Sequence, residues 1–321
     1  MTPTTPALTI VVPVYNSEES LPLLVERLEK VLPQIAGAYE LILVNDGSRD
    51  RSWQVIQQLS QGRPWLRGIC MMRNFGQHNA LLCGIRAATH PIIITMDDDL
   101  QHPPEEIPLL LAKLAEGYDV VYGTPRELPH SLVRNLLSRF TKRALASAMG
   151  IRDIGNISAF RALRTDLRNA FVGFQSPNLL LDVLLSWGTT RFGAQTVEHK
   201  PRLIGKSNYN FGKLFNQAML ILTGFSTAPL RLASMMGFVM AVFGIGVLLY
   251  VVVRAVIEKS VPGFPFLASI IAIFSGAQLF ALGIFGEYLG RMFNRSMDRP
   301  TYVVKEQIGE QDNSQPLPGS S

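Results

Sequence analysis

An α/β domain on a mostly parallel sheet with helices on both faces, followed by a two-helix transmembrane hairpin, is the architecture this sequence predicts. Three observations predict it. Short apolar runs alternate with amphipathic helical stretches through the first part of the chain, joined by brief connections. Positions 232–253 and 264–286 then carry no charged residue, and about 20 apolar residues suffice to cross a bilayer as a helix. The composition agrees: charged residues are 17% and the mean hydropathy is +0.19, apolar for a soluble enzyme.

The elements follow in order. Leu8–Val12 reads as a strand, and Ser20–Leu32 as a helix with Leu21, Leu24, Leu28 and Leu32 on one face. Glu40–Val44 is a strand and 52–62 a helix; 66–72 is a strand and 79–88 a helix. The Ile-rich run 92–96 is a buried strand, 104–116 a helix, and Val120–Tyr122 begins another strand. Ligands of such sheets bind beyond the carboxyl ends of the strands, which puts Asn16, Asp46, Arg73 and Asp97–Asp99 on one rim. These elements make a cytoplasmic domain of residues 1–210. Within it, 131–149 reads as a basic amphipathic helix at the membrane interface, with Leu132, Leu136, Phe140 and Leu145 on its apolar side. Residues 211–230 read as a second interfacial helix, for which ordinary packing on the domain is the plain alternative.

The hairpin occupies 231–290. Lys213, Arg231, Arg291, Arg295, Arg299 and Lys305 flank it, against Arg254 and Lys259 in its connecting loop. Basic residues favour the cytoplasmic side, so both termini and the domain are expected there, in an inner membrane. Residues 291–308 read as a cytoplasmic juxtamembrane segment and 309–321 as a disordered tail. Two spans make a thin membrane domain, which leaves room for a homo-oligomer. The first residues carry no basic and apolar signal-peptide pattern. A net charge of +5 without a Lys/Arg block excludes a nucleic-acid partner and assigns the basic excess to lipid and phosphate. Cys70 and Cys83 lack metal-ligand spacing and read as small core residues in a reducing compartment.

Asp97, Asp98, Asp99 and Gln101 end the Ile-rich strand and are the most informative residues. Three carboxylates stacked there repel one another unless a cation joins them. Oxygen ligands suit Mg2+ or Mn2+, and such ions keep substrate phosphates among their ligands. Asp97, Asp99 and Gln101 are the expected metal ligands; Asp98 is expected to face away, because neighbours on an extended segment alternate. The plain alternative is an acidic cap on the helix beginning Pro103-Pro-Glu-Glu. One Asp would serve that purpose.

The ordered set Val11-Val-Pro-Val-Tyr-Asn16, Val44-Asn-Asp-Gly-Ser48, Arg73-Asn-Phe-Gly-Gln-His-Asn-Ala80 and Asp97-Asp-Asp-Leu-Gln101, with the two C-terminal spans, resembles the polyprenyl-phosphate glycosyltransferases of glycosyltransferase family 2. Pro103–Pro108, Pro229-Leu-Arg231 and Gly286–Arg291 make it most similar, within that group, to bacterial undecaprenyl-phosphate 4-deoxy-4-formamido-L-arabinose transferases. The resemblance implies a GT-A fold, a nucleotide-sugar donor with UDP as its nucleotide, a polyprenyl phosphate acceptor and inverting transfer of one sugar. It implies nucleotide contacts from Pro13, Tyr15, Asn16, Glu18, Asp46, Arg73 and Asp97. Taken alone, Pro13–Asn16 and Asp46-Gly-Ser48 read equally as turns, and Glu18 as solvated surface. His78 is expected to be structural. Catalytic roles fall on Asp97, Asp99 and Asp153, the last at an acidic position of the family. Some relatives carry a second Asp where this chain has Asn156. Arg126, Arg134 and Ser138 are the implied acceptor-phosphate residues. Arg202, Lys206 and Ser207 form the implied donor-diphosphate loop, although Asn208 replaces the family's usual lysine.

Rival readings are fewer in support. Processive polysaccharide synthases carry Gln-x-x-Arg-Trp, which is absent. A dolichyl-phosphate mannose or glucose synthase and a non-catalytic sugar-nucleotide-binding scaffold remain open. A transporter would need more spans and buried charge.

Overall fold

A computed structural model of the chain describes residues 5–125, 157–176, 179–200, 227–257 and 263–309. The chain divides into two compact units, Met1–Tyr209 with Asp298–Ser321, and Asn210–Met297.

In the first unit, β1 (Ala7–Val14), β2 (Ala38–Asn45), β3 (Leu66–Met71) and β4 (Ile92–Thr95) lie parallel in the spatial order β3-β2-β1-β4. They are joined by α1 (Leu21–Ile35), α2 (Ser52–Ser60) and α3 (Gln77–Ala87). A 3-10 turn at Pro104–Glu106 leads into α4 (Ile107–Ala115), then β5 (Val120–Pro125). Four elements were not expected from the sequence: β6 (Arg161–Arg164), α5 (Leu181–Gly188), β7 (Phe192–Val197) and β8 (Val304–Ile308). Among the described residues the sheet has eight strands in the order β7-β5-β6-β4-β1-β2-β3-β8. β6 runs antiparallel between β4 and β5, and β8 closes the β3 edge antiparallel. The expected α/β class, a mostly parallel sheet with helices on both faces, is what forms.

Alternation along β1 explains the layers. Leu8, Ile10, Val12 and Val14 pack into one core with Leu21, Leu24, Leu28 and Leu32 of α1 and Ile107 and Leu110 of α4. Val11 faces the opposite core, with Leu81 and Ile85 of α3 and Leu181 and Leu184 of α5. A strand covered on both faces must be apolar throughout, as this one is apart from Thr9. α3 approaches β1 closely at Gly84, where a Cβ would lie 2.3 Å from Val11 Cγ1.

β1 reaches Val14, two residues beyond the expected Val12, so Pro13 lies inside a central strand opposite Val44. Val11 O accepts from Met96 N on the β4 side, and Val14 O accepts from Asp46 N on the β2 side. Alternation therefore turns the missing N–H of Pro13 toward β4, which has already ended at Thr95. The proline costs the ladder no bond there.

The second unit holds α6 (Ala228–Ile257) and α7 (Phe264–Ser296). Both are long and apolar enough to cross a membrane, with mean hydropathies of 2.6 over Pro229–Arg254 and 1.8 over Ser269–Ser296, and neither window is buried. That agrees with a two-span membrane protein. The expected helix at 131–149 and residues 211–226 of the second lie outside the described residues, as does the tail from 310, whereas Ala228–Leu230 belong to α6.

The amino ends of the strands are bolted by Glu40. Its carboxylate accepts from Thr9 Oγ1 at 2.7 Å, Thr89 N and Oγ1 at 2.7 Å each, and Arg67 Nη1 at 3.0 Å. Burial pushes its pKa up, but these donors outweigh burial and hold it below the ordinary glutamate value. The stability it contributes is thus complete above that value and is lost as pH falls through the lowered one. Glu40→Ala strands the largely buried Arg67 and should cost about 3–5 kcal/mol. Urea unfolding of the detergent-solubilised chain, followed by tryptophan fluorescence, measures the loss at pH 7.

Candidate active site

The carboxyl ends of β1, β2, β3 and β4 each release a loop carrying polar side chains, and these loops are laced to one another. Asn16 takes the left-handed conformation at φ 55°, which Asn tolerates better than most residues. Its N–H donates to Ser48 Oγ at 3.0 Å, and its Oδ1 accepts from Arg49 N at 2.8 Å. Ser17 N donates to Ser52 Oγ at 2.8 Å. Glu18 is half-buried, and its Oε2 accepts from Arg51 N at 2.8 Å, at the start of α2. Tyr15 remains exposed on the rim.

Asp46 is buried at the end of β2. Its two oxygens accept from Phe75 N at 2.7 Å and Gly76 N at 2.9 Å. Burial raises its pKa, with those N–H groups and Arg73 opposing the shift. Each oxygen keeps a second lone pair for a ligand. Gly47, at φ 63°, is required by the close approach of the next loop; a Cβ would lie 2.5 Å from the backbone of Arg73 and Asn74. Arg73 itself is exposed and stacks over Phe75 at 4.3 Å.

The three acids diverge. Asp97 Oδ1 accepts from Gln77 Nε2 of α3 at 2.6 Å. Asp98 faces the β1 loop, where it accepts from the Ser17 hydroxyl and, at 3.4 Å, from Tyr15 N. Asp99 is buried, and its Oδ1 accepts from Gln101 N at 3.1 Å. Between them Leu100 is held at φ 60°, a strained setting for a leucine. Its fully buried side chain, part of the α1/α4 core, is what holds it there. Among the described residues, no three Asp, Glu, His or Cys side chains converge to cage a metal ion unaided.

Sequence reasoning missed the supports of this turn. Gln101 O accepts from Lys200 N at 2.9 Å, and the buried His102 stacks on Phe160 at 5.2 Å and meets His199 edge-on at 4.9 Å. Burial and the neighbouring His199 push His102 down to about 4, against the pull of Asp99. Deeper still, Asp182 of α5 accepts from Tyr122 Oη at 2.9 Å and from the Arg161 guanidinium. His78 lies beside this group: Leu181 N donates to its Nδ1 at 3.5 Å, and burial lowers its pKa, with Asp182 opposing and Arg161 assisting. These contacts join residues tens to a hundred positions apart, so no local pattern announces them.

The structure thus gathers Tyr15, Asn16, Glu18, Asp46, Arg73, Asp97, Asp99 and Gln101 on one rim, with Pro13 in the strand beneath. Arg126, Arg134, Ser138, Asp153, Arg202, Lys206 and Ser207 lie outside the described residues.

Asp98 gives the rim a measurable signature. Burial pushes its pKa up to about 6; the Ser17 hydroxyl and Tyr15 N–H oppose the shift and Asp99 adds to it. The folded state then holds its proton more tightly than the unfolded state, so stability falls as pH rises through that range. In EDTA, Asp98→Asn should melt higher than the parent above pH 6, and the gap should close near pH 4. Differential scanning fluorimetry across that range reads it.

Residues 9–171 match the sequence family described as glycosyl transferase family 2. Over 310 residues the chain is 37% identical to an undecaprenyl-phosphate 4-deoxy-4-formamido-L-arabinose transferase of Photorhabdus laumondii, covering 94% of each chain. An enzyme of the same name from Proteus mirabilis is 37% identical over 94% of this chain and 93% of its own. Among solved structures, glucosyl-3-phosphoglycerate synthase of Mycobacterium tuberculosis, crystallised with Mn2+, UDP-glucose and phosphoglyceric acid, superposes with a TM-score of 0.51. The likeness covers 68% of this chain and 79% of that one at 18% identity, and it shows the shared GT-A-type fold. With the family matched through the acid-bearing sheet, and the relatives matched over almost their whole length, the chain is a transferase enzyme that belongs to glycosyl transferase family 2.

Proposed function

We propose that this protein transfers one sugar, with inversion, from a UDP-sugar to a polyprenyl phosphate, undecaprenyl phosphate, at the cytoplasmic face of the membrane. One observation carries the reading. The likeness to relatives whose names give an undecaprenyl-phosphate acceptor runs through both the acid-bearing sheet and the two apolar helices. Orientation follows from charge: Arg231, Arg291, Arg295, Arg299 and Lys305 outnumber Arg254 among the described flanks. Two crossings would return the chain to the side it left, which suits the strand at 304–308.

The donor set fits Mg2+ or Mn2+: Asp97 and Asp99 offer carboxylate oxygens and Gln101 an amide oxygen, all hard ligands. Among the described residues no three acids converge, so an ion held here would also need oxygens from the donor. Held by these residues, such an ion would supply Lewis-acid stabilisation for charge on the departing diphosphate. The chain's own residues do the rest. Pro13, Tyr15, Asn16, Glu18 and Asp46 hold the nucleoside, with the spare lone pairs of Asp46 available to an N–H of the base. Arg73 meets the diphosphate, and Arg202, Lys206 and Ser207 close over it. Arg126, Arg134 and Ser138 cradle the lipid phosphate. That phosphate has a second pKa of about 6 and is already an oxyanion at pH 7, so no strong base is required. Its oxygen attacks the anomeric carbon as the bond to the nucleotide diphosphate breaks from the opposite face. Asp153 orients Arg126 or the sugar hydroxyls.

Purified protein given radiolabelled sugar nucleotides and undecaprenyl phosphate should form a labelled lipid with Mg2+ or Mn2+ and none in EDTA. Asp99→Asn should lower turnover by about 100-fold or more with an unchanged circular dichroism spectrum. Near-parental turnover by that variant removes the role of Asp99. Labelling only from GDP-mannose onto dolichyl phosphate replaces the donor and acceptor, and no labelling from any pair favours a binding scaffold.

A further inference from the structure

We propose that Gln77 is a positioning residue that sets the Asp97 carboxylate for the cation and couples it to the nucleoside end of the site. The inference rests on the metal reading above and adds a residue to it. Gln77 opens α3, and its amide donates to Asp97 Oδ1 at 2.6 Å, a bond to a charged acceptor. The bond is exposed, so it contributes little to folding. Its consequence is geometric. With Oδ1 engaged, fewer orientations of the carboxylate stay open. The amide also draws charge from Asp97, which sits in sequence beside two further acids.

What makes the bond more than a surface contact is the anchoring of the loop behind it. Asp46, at the end of β2, grips Phe75 N and Gly76 N. Asn79, buried in the first turn of α3, donates through Nδ2 to Phe75 O at 2.7 Å. Gly76 is held at φ 97° with open space where a Cβ would stand. Its conformation, not a lack of room, demands glycine, and that conformation turns the chain into α3 so that Gln77 meets the end of β4. α3 is seated in turn on Val11 by the close contact at Gly84. A single five-residue loop, Arg73–Gln77, therefore links the acid at the β2 end to the acid at the β4 end. A base bound at Asp46 pulls on the same loop that aims Asp97.

Two near-isosteric variants test this in the full chain in detergent: Gln77→Met, which removes the donor, and Gln77→Glu, which sets a like charge against Asp97. Mn2+ binding, alone and with UDP, is titrated by electron paramagnetic resonance, and melting is followed in EDTA. Loss of a partner orienting a metal ligand weakens metal binding about tenfold or more. Gln77→Met should therefore bind Mn2+–UDP about tenfold more weakly, Gln77→Glu more weakly still, both melting in EDTA like the parent. Parental Mn2+–UDP affinity in Gln77→Met overturns the inference and leaves the metal reading standing. So does a fall in melting temperature that accounts for the loss, since Gln77 would then be structural. Failure of the parent itself to bind Mn2+ overturns the metal reading and this inference together.

Discussion

Carboxylates taken out of water must be neutralised, hydrogen-bonded or protonated, and the two ends of this sheet meet that demand in opposite ways. At the amino ends Glu40 receives two hydroxyls, an N–H and a guanidinium, and its pKa is held low. At the carboxyl ends Asp46 receives two N–H donors and Asp98 a hydroxyl and an N–H, and burial outweighs them and pushes both up. A low acid is finished structure. A raised one still has favourable free energy to gain from a cation or a ligand N–H, which is why such groups gather where binding and chemistry occur. The polarity of the parallel strands separates the two kinds: β1 to β4 each run from the bolted end to the open one.

The open end is shaped by a mismatch in strand length. β1 continues to Val14, whereas β4 stops at Thr95 opposite Val11. The chain leaving β4 must therefore fold across the last residues of β1, which brings Asp98 to Tyr15 and Ser17. Leu100 anchors the fold-over by burying its side chain at a backbone angle that leucine seldom adopts. Stability is spent on holding the acids in one arrangement, as expected where a site must be formed before its ligand arrives.

Much of this was legible in the sequence because the first four strands are buried on both faces, and burial writes itself as Val, Ile and Leu runs. The rim followed from position alone, since Asn16, Asp46, Arg73 and Asp97 each stand just past such a run. β6 was not legible. Arg161-Ala-Leu-Arg164 has a charge at each end, and Arg161 lies inside only because Asp182, 21 residues later, meets it. β8 was missed for another reason. Val-Lys-Glu-Gln-Ile is an edge strand, wet on one side, and nothing local distinguishes it from a polar connector. The supports of the site were hidden in the same way: Gln77, His102 and His199 matter through contacts made only when distant segments meet. The nature of Asp98 was half visible. Alternation gave its direction away from Asp97, but not the loop it would find there.

β8 carries a consequence for how catalysis and membrane attachment are joined. Thr301 and Tyr302 are held within the first unit, Val303 O accepts from Met72 N at 2.9 Å, and β8 then pairs along β3. Glu306 is fixed from α2 by Trp53 Nε1 at 3.1 Å and Gln57 Nε2 at 3.2 Å. The chain emerging from α7 is therefore a sheet strand within seven residues of Met297. Met72 immediately precedes Arg73, so the segment that ends the membrane hairpin also fixes the last backbone donor before the Arg73–Gln77 loop. The segment that follows α7 is not a tail on a finished domain; it completes the β3 edge of the sheet that carries the rim.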